Sequence, residues 1–286
     1  MVDSHKPLTS GEGASGSNTF VDRATARRLE RTSAWRSVRY SEAYTRLHPD
    51  AGSTVLAIGG GYAVFTGLRS PVNSAIGLGF DGPVVDADLE SLENFFHARG
   101  TVAKVHVCPL ADESLFALVK ERGYRLTRFF SVLYRPLEET WYPERLSDAL
   151  NITAAGPEQA ELWLRVTGQG FEESETPSPA TLEVMGPNFY AEDGRAYFAW
   201  INGEPAGGGG MYYNLEQRGV ELGGASTRPS FRRRGVQRGL IEARLADARA
   251  LGCDVALVLT EPGSDSQRNL ARAGFRLAYT KVVMEK

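Results

Sequence analysis

Two spacings of apolar residues alternate along the chain and predict helices and strands in a fixed order. Helical spacing predicts one or two helices in 20–48 and further helices at 86–98, 112–121, 236–251 and 265–273. Short apolar runs predict strands at 53–60, 62–67, 74–80, 103–109, 124–137, 219–227, 254–262 and 275–286. Two more strands in 196–213 join at Asn202 and Gly203, a pair that tolerates the positive φ angles of a tight hairpin turn. This mixture of elements predicts an α/β (α+β) protein.

The two halves of the chain repeat one order of motifs. The stretch "VHVCPLADESLFALVKERGYRLTRFFSVLYR" corresponds in sequence to "ALVLTEPGSDSQRNLARAGFRLAYTKVVMEK". Each stretch has a strand, Pro and a helix, then Gly, an aromatic residue, Arg and Leu before a last strand. We infer a tandem duplication of one unit. The predicted domains are 20–137 and 151–286, joined by a linker at 138–150 and preceded by a disordered Gly/Ser-rich tail at 1–19.

Composition narrows the classes of function. The formal net charge of −3 over 286 residues argues against a protein that coats nucleic acid, because such binding needs many Lys and Arg contacts to phosphates. The sequence has no apolar run near the roughly 18 residues of a membrane span and no secretory pattern, so we expect a soluble, cytoplasmic protein. Cys108 and Cys253 have no Cys or His partner at metal spacing, which predicts buried thiols and no metal site.

A basic segment, "RPSFRRRGVQRGLI" at 228–241, leads from a predicted strand into a predicted helix. The backbone N–H groups and the positive dipole end of a helix start attract phosphate, and Gly235 would let the backbone approach such an anion closely. A solvated basic turn is the ordinary alternative for an isolated match of this kind. The corresponding stretch of the first half, "GFDGPVVDADLE", is acidic and has no arginine, so we expect an anion site only in the second half.

In this setting the sequence resembles the GCN5-related N-acetyltransferase superfamily, over roughly 150–286. The acyl-CoA signature of that family matches "RRRGVQ" from Arg232 and Gly235, although Gln237 stands where the family has Gly or Ala. The resemblance implies two tandem domains of the family's fold, each a mixed, mostly antiparallel sheet flanked by helices, with a degenerate N-terminal half. It implies that acetyl-CoA binds through backbone amides near the pyrophosphate, through the splayed strand end near the pantetheine arm, and through a later helix. The coenzyme-binding residues so assigned are Ala225, Ser226, Thr227, Arg232, Arg233, Arg234, Gly235, Val236, Gln237, Arg238, Gly239, Ser266 and Asn269.

Candidate catalytic groups are fewer. Glu221 lies on the strand before the basic segment, where histone-acetylating members of the family carry a general-base glutamate. An outward-facing strand residue or half of an ion pair is the ordinary alternative for such a glutamate. Many relatives place a general-acid tyrosine where this sequence has Leu270. Proton return then falls to another group, such as Tyr212, Tyr213 or Tyr279, or to water, and the sequence does not choose between them.

These features together predict an acetyl-CoA-dependent N-acetyltransferase that transfers acetyl to a primary amine of unknown identity, held by a small molecule or a peptide. The resemblance places a cover of the acceptor site at 171–190. A non-catalytic acyl-CoA-binding or regulatory protein is the alternative, favoured by Leu270 and Gln237. We expect no metal, nucleic-acid or membrane partner, and the sequence does not indicate the oligomeric state.

Overall fold

A computed structural model describes residues 20–68, 70–138 and 149–286. The predicted tail at 1–19 lies outside the described residues, as do positions 139–148 of the predicted linker. No helix among the described residues is long and apolar enough to cross a membrane.

The predicted elements form in their predicted order, together with three elements that we did not predict. The helices in the described residues are α1 (Arg23–Leu47), α2 (Asp86–His97), α3 (Glu113–Glu121), α4 (Ala160–Glu172), α5 (Pro179–Tyr190), α6 (Val236–Ala250) and α7 (Asp265–Arg272). The strands of the first half are β1 (Thr54–Ile58), β2 (Gly61–Phe65), β3 (Ser74–Ile76), β4 (Lys104–Val107) and β5 (Arg125–Pro136). Those of the second half are β6 (Leu150–Ala154), β7 (Gly194–Ile201), β8 (Glu204–Asn214), β9 (Gly219–Thr227), β10 (Val255–Thr260) and β11 (Arg276–Glu285). The three elements that we did not predict, which precede the hairpin of the second half, are strand β6 and the helices α4 and α5.

All these strands join one mixed, mostly antiparallel sheet in the order β1-β2-β3-β4-β11-β5-β10-β9-β8-β7-β6. Successive residues of a strand point to opposite faces, so the core clusters show which helices share a face. On β5, Leu133 packs with α6 and α7, whereas Val132 and Tyr134 pack with α1. By the same alternation α2 and α3 share the face of α6, and α4 and α5 share the face of α1. The predicted fold class, a mixed sheet flanked by helices, is confirmed.

The two halves exchange their last strands. The final strand of the first half, β5, pairs with β10 of the second half, and the final strand of the chain, β11, pairs with β4 of the first. The pairing of β5 with β11 closes the junction between them. One continuous sheet therefore joins the two repeats, and the domain boundaries at 137 and 151 stay a prediction.

A buried ion pair fixes the exchanged strand β11 beneath α1. The ammonium nitrogen of Lys281 on β11 lies 3.0 Å from a carboxylate oxygen of Glu30 on α1, and both side chains are fully buried. The hydroxyl of Tyr279 donates to the same carboxylate at 2.8 Å. Removing one member of such a pair would leave an uncompensated buried charge, so the pair disfavours arrangements in which β11 leaves this position.

Several local predictions are confirmed by the backbone. Asn202 and Gly203 adopt φ angles of 53° and 83° in the hairpin between β7 and β8. The helix predicted at 236–251 ends close to its predicted bound, because α6 ends at Ala250 and Gly252 then takes a φ of 92°. Gly59 and Gly60 form the tight hairpin turn that joins β1 to β2, two strands that the sequence predicts as neighbours along the chain.

Candidate functional site

A cleft opens in the sheet where β9 and β10 separate. These parallel strands pair only from Gly219 to Glu221, and the rest of β9 has no registered partner on β10 among the described residues. A bulge in the pairing of β9 with β8 bends the strand here, and Gly224 takes a φ of 57° at this bulge. Such bulges redirect a strand beside many active sites. The predicted splayed strand end at 225–227 therefore forms one wall of a real opening.

A buried arginine holds the bent strand. The Arg244 guanidinium, on α6, donates to the carbonyl oxygen of Gly210 at 2.9 Å and lies 3.4 Å from that of Gly223. Burial lowers the pKa of Arg244 to about 10, which still leaves it charged at neutral pH. The cation thus binds carbonyl groups of β8 and β9 beside the bulge.

The helix start beside the cleft has the geometry expected of an anion site. Gly235 precedes α6 with a φ of 82°, and within the described residues α6 has neither a side-chain cap nor an acidic residue in its first turn. Arg233, two residues earlier, is also left-handed, with a φ of 63°. The first N–H groups of a helix have no intrahelical partner and carry the positive end of its dipole. A negatively charged ligand fits this end of α6.

The cleft has a volume of about 970 Å³. Most of the predicted coenzyme-binding residues line it, namely Ala225, Ser226, Thr227, Arg232, Arg233, Gly235, Val236, Gln237, Arg238 and Asn269. Three predicted residues do not line the cleft, and they are Arg234, Gly239 and Ser266. The Arg234 guanidinium lies 5.5 Å from the ring centre of Phe231. Gly239 is buried in α6, and Ser266 lies on α7. The structure thus brings ten of the thirteen residues together.

Gln237, the departure from the family signature, connects the two halves of the cleft wall. Its side-chain oxygen accepts a hydrogen bond of 2.7 Å from the amide of Asn269 on α7. The amide of Gln237 is therefore held against α7, and the contact joins the first turn of α6 to the second predicted coenzyme segment.

Acidic side chains from the loop between α4 and α5 contact the arginines at the mouth of the cleft. A carboxylate oxygen of Glu173 accepts from Arg232 at 2.8 Å, and Arg232 lowers the pKa of this exposed carboxyl. Glu175 lies 3.9 Å from Arg228. A phosphate that binds Arg232 competes with Glu173 for the same guanidinium.

The corresponding helix start in the first half is closed to anions. The Val85 N–H, before α2, donates to the Asp88 carboxylate at 2.9 Å, and the Val84 N–H donates to Ser114 Oγ at 2.8 Å. Asp86 adds a second carboxylate to the first turn. These groups satisfy the donors and place negative charge where α6 has none. This difference supports the prediction that only the second half binds an anion.

Glu221 is buried on the face of the sheet that α1 covers. Its Oε1 lies 3.4 Å from the Arg36 guanidinium, and its Oε2 has no hydrogen-bond partner among the described residues. Burial raises the pKa of Glu221, and Arg36 opposes that rise. The carboxylate is thus half of an ion pair and also stands at the last paired position before the cleft. Its role as general base stays a prediction.

The candidate proton donors differ in their surroundings. Tyr212 is buried and donates to Asn188 Oδ1 at 2.7 Å, and Tyr279 donates to Glu30 as described above. Burial raises the pKa of both phenols. Tyr213 is half-buried against the core that includes α6, and Leu270 is buried in the same core. None of these observations assigns the general acid.

The sequence did not reveal the position of α1 over the second half. Arg36, from the N-terminal repeat, contacts a residue 185 positions later, and no local pattern indicates this contact. The sequence offered one indication that α1 packs on a sheet. Its buried face includes Ser33, Ser37 and Ser41, and such small residues allow a helix to approach a sheet closely. Among the residues that the structure describes, no group of three or more His, Cys, Asp or Glu side chains is placed to hold a metal.

Comparisons with known proteins agree with this geometry. Residues 160–275 match the family described as "Acetyltransferase (GNAT) family". A GCN5-related N-acetyltransferase from Kribbella flavida has a similar structure, with a TM-score of 0.62 and 17% identity over 88% of this chain and 95% of that one. A tandem GNAT protein from the clavulanic acid biosynthesis pathway has a TM-score of 0.56 and 12% identity over 92% of this chain and 94% of that one. At these identities the similar structures show the fold alone. No curated protein matches the chain by sequence.

The mixed sheet and the match over 160–275 identify a domain of the acetyltransferase (GNAT) family in the second half of the chain. The match supports acyl-CoA-dependent N-acetyl transfer in general, since members of this family use acetyl-CoA as the co-substrate and small-molecule or peptide amines as acceptors.

Proposed function

We propose that the protein transfers an acetyl group from acetyl-CoA to a primary amine, and that only the second half binds the coenzyme and supplies the catalytic base. The observation that supports this most strongly is the uncapped start of α6 beside the opening between β9 and β10. The capped, acidic start of α2 supports a degenerate first half. The boundaries 20–137 and 151–286 and the cytoplasmic location belong to the same proposal.

In this proposal the backbone amides of 233–237 hold the coenzyme pyrophosphate, and the surrounding arginines add charge that water and salt partly screen. The free edge of β9 at 225–227 pairs with the pantetheine arm. The thioester carbon then lies toward the paired end of the opening, near Glu221. Acetyl-CoA supplies an activated acyl group, and the protein supplies its position and a base.

Glu221 would take a proton from the acceptor ammonium, directly or through water, so that the neutral amine can attack the thioester carbon. The new C–N bond forms, the C–S bond breaks, and the thiolate leaves as the thiol after protonation. Burial raises the pKa of Glu221 and so makes it a stronger base than an exposed carboxylate, which suits proton transfer nearer neutral pH.

A non-catalytic acyl-CoA-binding protein is the second candidate. Leu270 is buried where many relatives have a general-acid tyrosine, and the tyrosines near Glu221 donate within the fold. Such a protein would bind coenzyme A and release no thiol with any amine.

A screen of primary amines against acetyl-CoA, with free thiol as the readout, distinguishes the two candidates. The proposal predicts amine-dependent thiol release and a product whose mass has increased by one acetyl group. Coenzyme binding without thiol release across a broad amine panel would contradict catalysis. A failure to bind coenzyme A would contradict both candidates.

A further inference from the structure

Arg36 lies beside the acyl end of the cleft, although it comes from the N-terminal repeat. A Cβ built on Gly223, at the bulge of β9, would lie 3.5 Å from a terminal nitrogen of Arg36. The guanidinium also stacks over the ring of Tyr212, 5.1 Å from its centre. The side chain is 25% exposed, so it is not sealed from solvent. A cation therefore stands beside the bend of β9, next to Glu221.

The hydrogen-bonding groups of Arg36 and Glu221 are incompletely used. The Nε atom of Arg36 is buried without a hydrogen-bond partner in the described residues, and so is Oε2 of Glu221. Their mutual contact, 3.4 Å, is longer than a charge-assisted hydrogen bond. Unpaired buried polar atoms are uncommon, and in native proteins they mark missing water or ligand. Here an unpaired donor, Nε of Arg36, and an unpaired acceptor, Oε2 of Glu221, belong to the two members of one ion pair.

We infer that the acceptor is an amino-acid-type amine, with a carboxylate close to its ammonium group. The inference rests on the proposed function of the same site. The carboxylate binds the Arg36 guanidinium, whose planar fork suits a two-pronged contact, and the ammonium faces Glu221. A zwitterion of this kind matches the fixed cation and anion of the protein. Gly223 leaves room beside the guanidinium because it has no side chain.

The direction of entry favours an acceptor over an acyl chain as the source of the carboxylate. Arg36 reaches the site from α1, on the face opposite α6 and α7, and it does not line the cleft at the start of α6. The coenzyme occupies that cleft in the proposed function. A second substrate that enters from the α1 face meets Arg36 first and Glu221 beneath it.

The reaction balances with these roles. The ammonium of the acceptor gives one proton to Glu221, and the amine nitrogen bonds to the acyl carbon of acetyl-CoA while the C–S bond breaks. The thiolate leaves with the bonding electron pair. The tetrahedral nitrogen loses a second proton as the amide forms, so that one proton reaches the thiolate and one reaches solvent. The products are the N-acetylamino acid and coenzyme A.

The test compares each of the twenty standard amino acids with its carboxyl amide, and includes ethylamine as a carboxylate-free amine, using the full chain and acetyl-CoA. For at least one amino acid we expect kcat/KM to exceed that of its amide by about 10- to 100-fold, as for loss of a charge-assisted contact. Arg36→Gln should remove this preference mainly by raising KM, and Arg36→Lys should restore part of it.

Arg39→Gln is the matched control, since Arg39 is one helical turn further along α1 and pairs with Glu42 and Asp193 instead. This variant should keep the preference for the free carboxylate. Circular dichroism establishes that each variant is folded, and the preference is a ratio within one variant, so a general loss of activity does not mimic the expected result.

Equal use of amino acids and amides, or a preference that survives Arg36→Gln, would overturn the inference. An Arg36-dependent preference for succinyl-CoA over acetyl-CoA would also overturn it, because the carboxylate would then belong to the acyl group. If coenzyme A binds but no amine is acetylated, the proposed function fails separately. Calorimetry of the amino acids with the coenzyme A complex then decides: Arg36-dependent binding supports the inference, and absence of binding overturns it.

Discussion

Substitutions at Gly235 separate the backbone geometry of the anion site from its charge. Gly235 has a φ of 82°, and among the described residues a Cβ built there would meet only Leu150, at 3.9 Å. A side chain at this position therefore has space within the protein, and the variants should stay folded. We expect the new side chain to change the conformation of the loop and to occupy space that the ligand needs.

The two effects have different sizes. A residue other than glycine costs about 1–2 kcal/mol in the left-handed region, so Gly235→Ala should weaken coenzyme A binding by about 5- to 30-fold if that cost falls on the binding-competent loop. In Gly235→Glu, a carboxylate about 4 Å from a phosphate charge adds about 4 kcal/mol of repulsion at an effective dielectric of 20, or roughly 10³-fold. We therefore expect Gly235→Glu to abolish measurable binding.

Calorimetry with coenzyme A at two salt concentrations measures these effects, and circular dichroism measures folding. Gly252→Ala is the matched control, because Gly252 has a φ of 92° at the other end of α6 with no atom within 4 Å of a Cβ in the described residues. It should carry similar strain and leave binding unchanged. Arg233→Ala should weaken binding modestly and in a salt-dependent way. A folded Gly235→Glu variant that binds coenzyme A normally would refute the reasoning, as would a larger loss from Arg233→Ala.

Three further predictions concern other groups. Glu221→Gln should slow turnover by roughly 10² to 10⁴-fold while coenzyme affinity stays nearly constant, and an unchanged rate at saturating amine would show that Glu221 is not the base. Glu173→Gln should tighten coenzyme A binding at low salt by no more than about fivefold, since it frees Arg232, with the gain fading at high salt; weaker binding would contradict this competition. Burial raises the pKa of Cys108 to about 12 and that of Cys253 to about 11, so both should resist iodoacetamide at pH 8 until the protein unfolds, as mass spectrometry can measure; rapid labelling of the native protein would contradict it.

The sequence was sufficient where short-range chemistry determines the structure. The Asn202-Gly203 turn, the glycine stop after α6 and the strand leading into the basic segment all depend on backbone preferences of neighbouring residues. The glycines at 207–210 lie in β8, where a Cβ on Gly208 would be 2.6 Å from Thr167. Close packing accounts for Gly208.

Strand exchange and the placement of α1 depend on partners far apart in the sequence. The apolar pattern of β5 and β11 predicts strands without indicating whether each pairs within its own repeat or across to the other. The buried Glu30 and Lys281 each look like surface residues in an isolated sequence, and only their pairing explains their burial. The contact between Arg36 and Glu221 could not be predicted from the sequence either, because its two residues are far apart in the chain.

Isothermal titration calorimetry of the full chain with acetyl-CoA tests the central claim most directly, because it counts the sites as well as measuring their affinity. An anion site formed only at the start of α6 predicts one site per chain, with affinity that falls as salt rises and with no binding in Gly235→Glu. Two equivalent sites per chain, or one site that persists in folded Gly235→Glu, would contradict it.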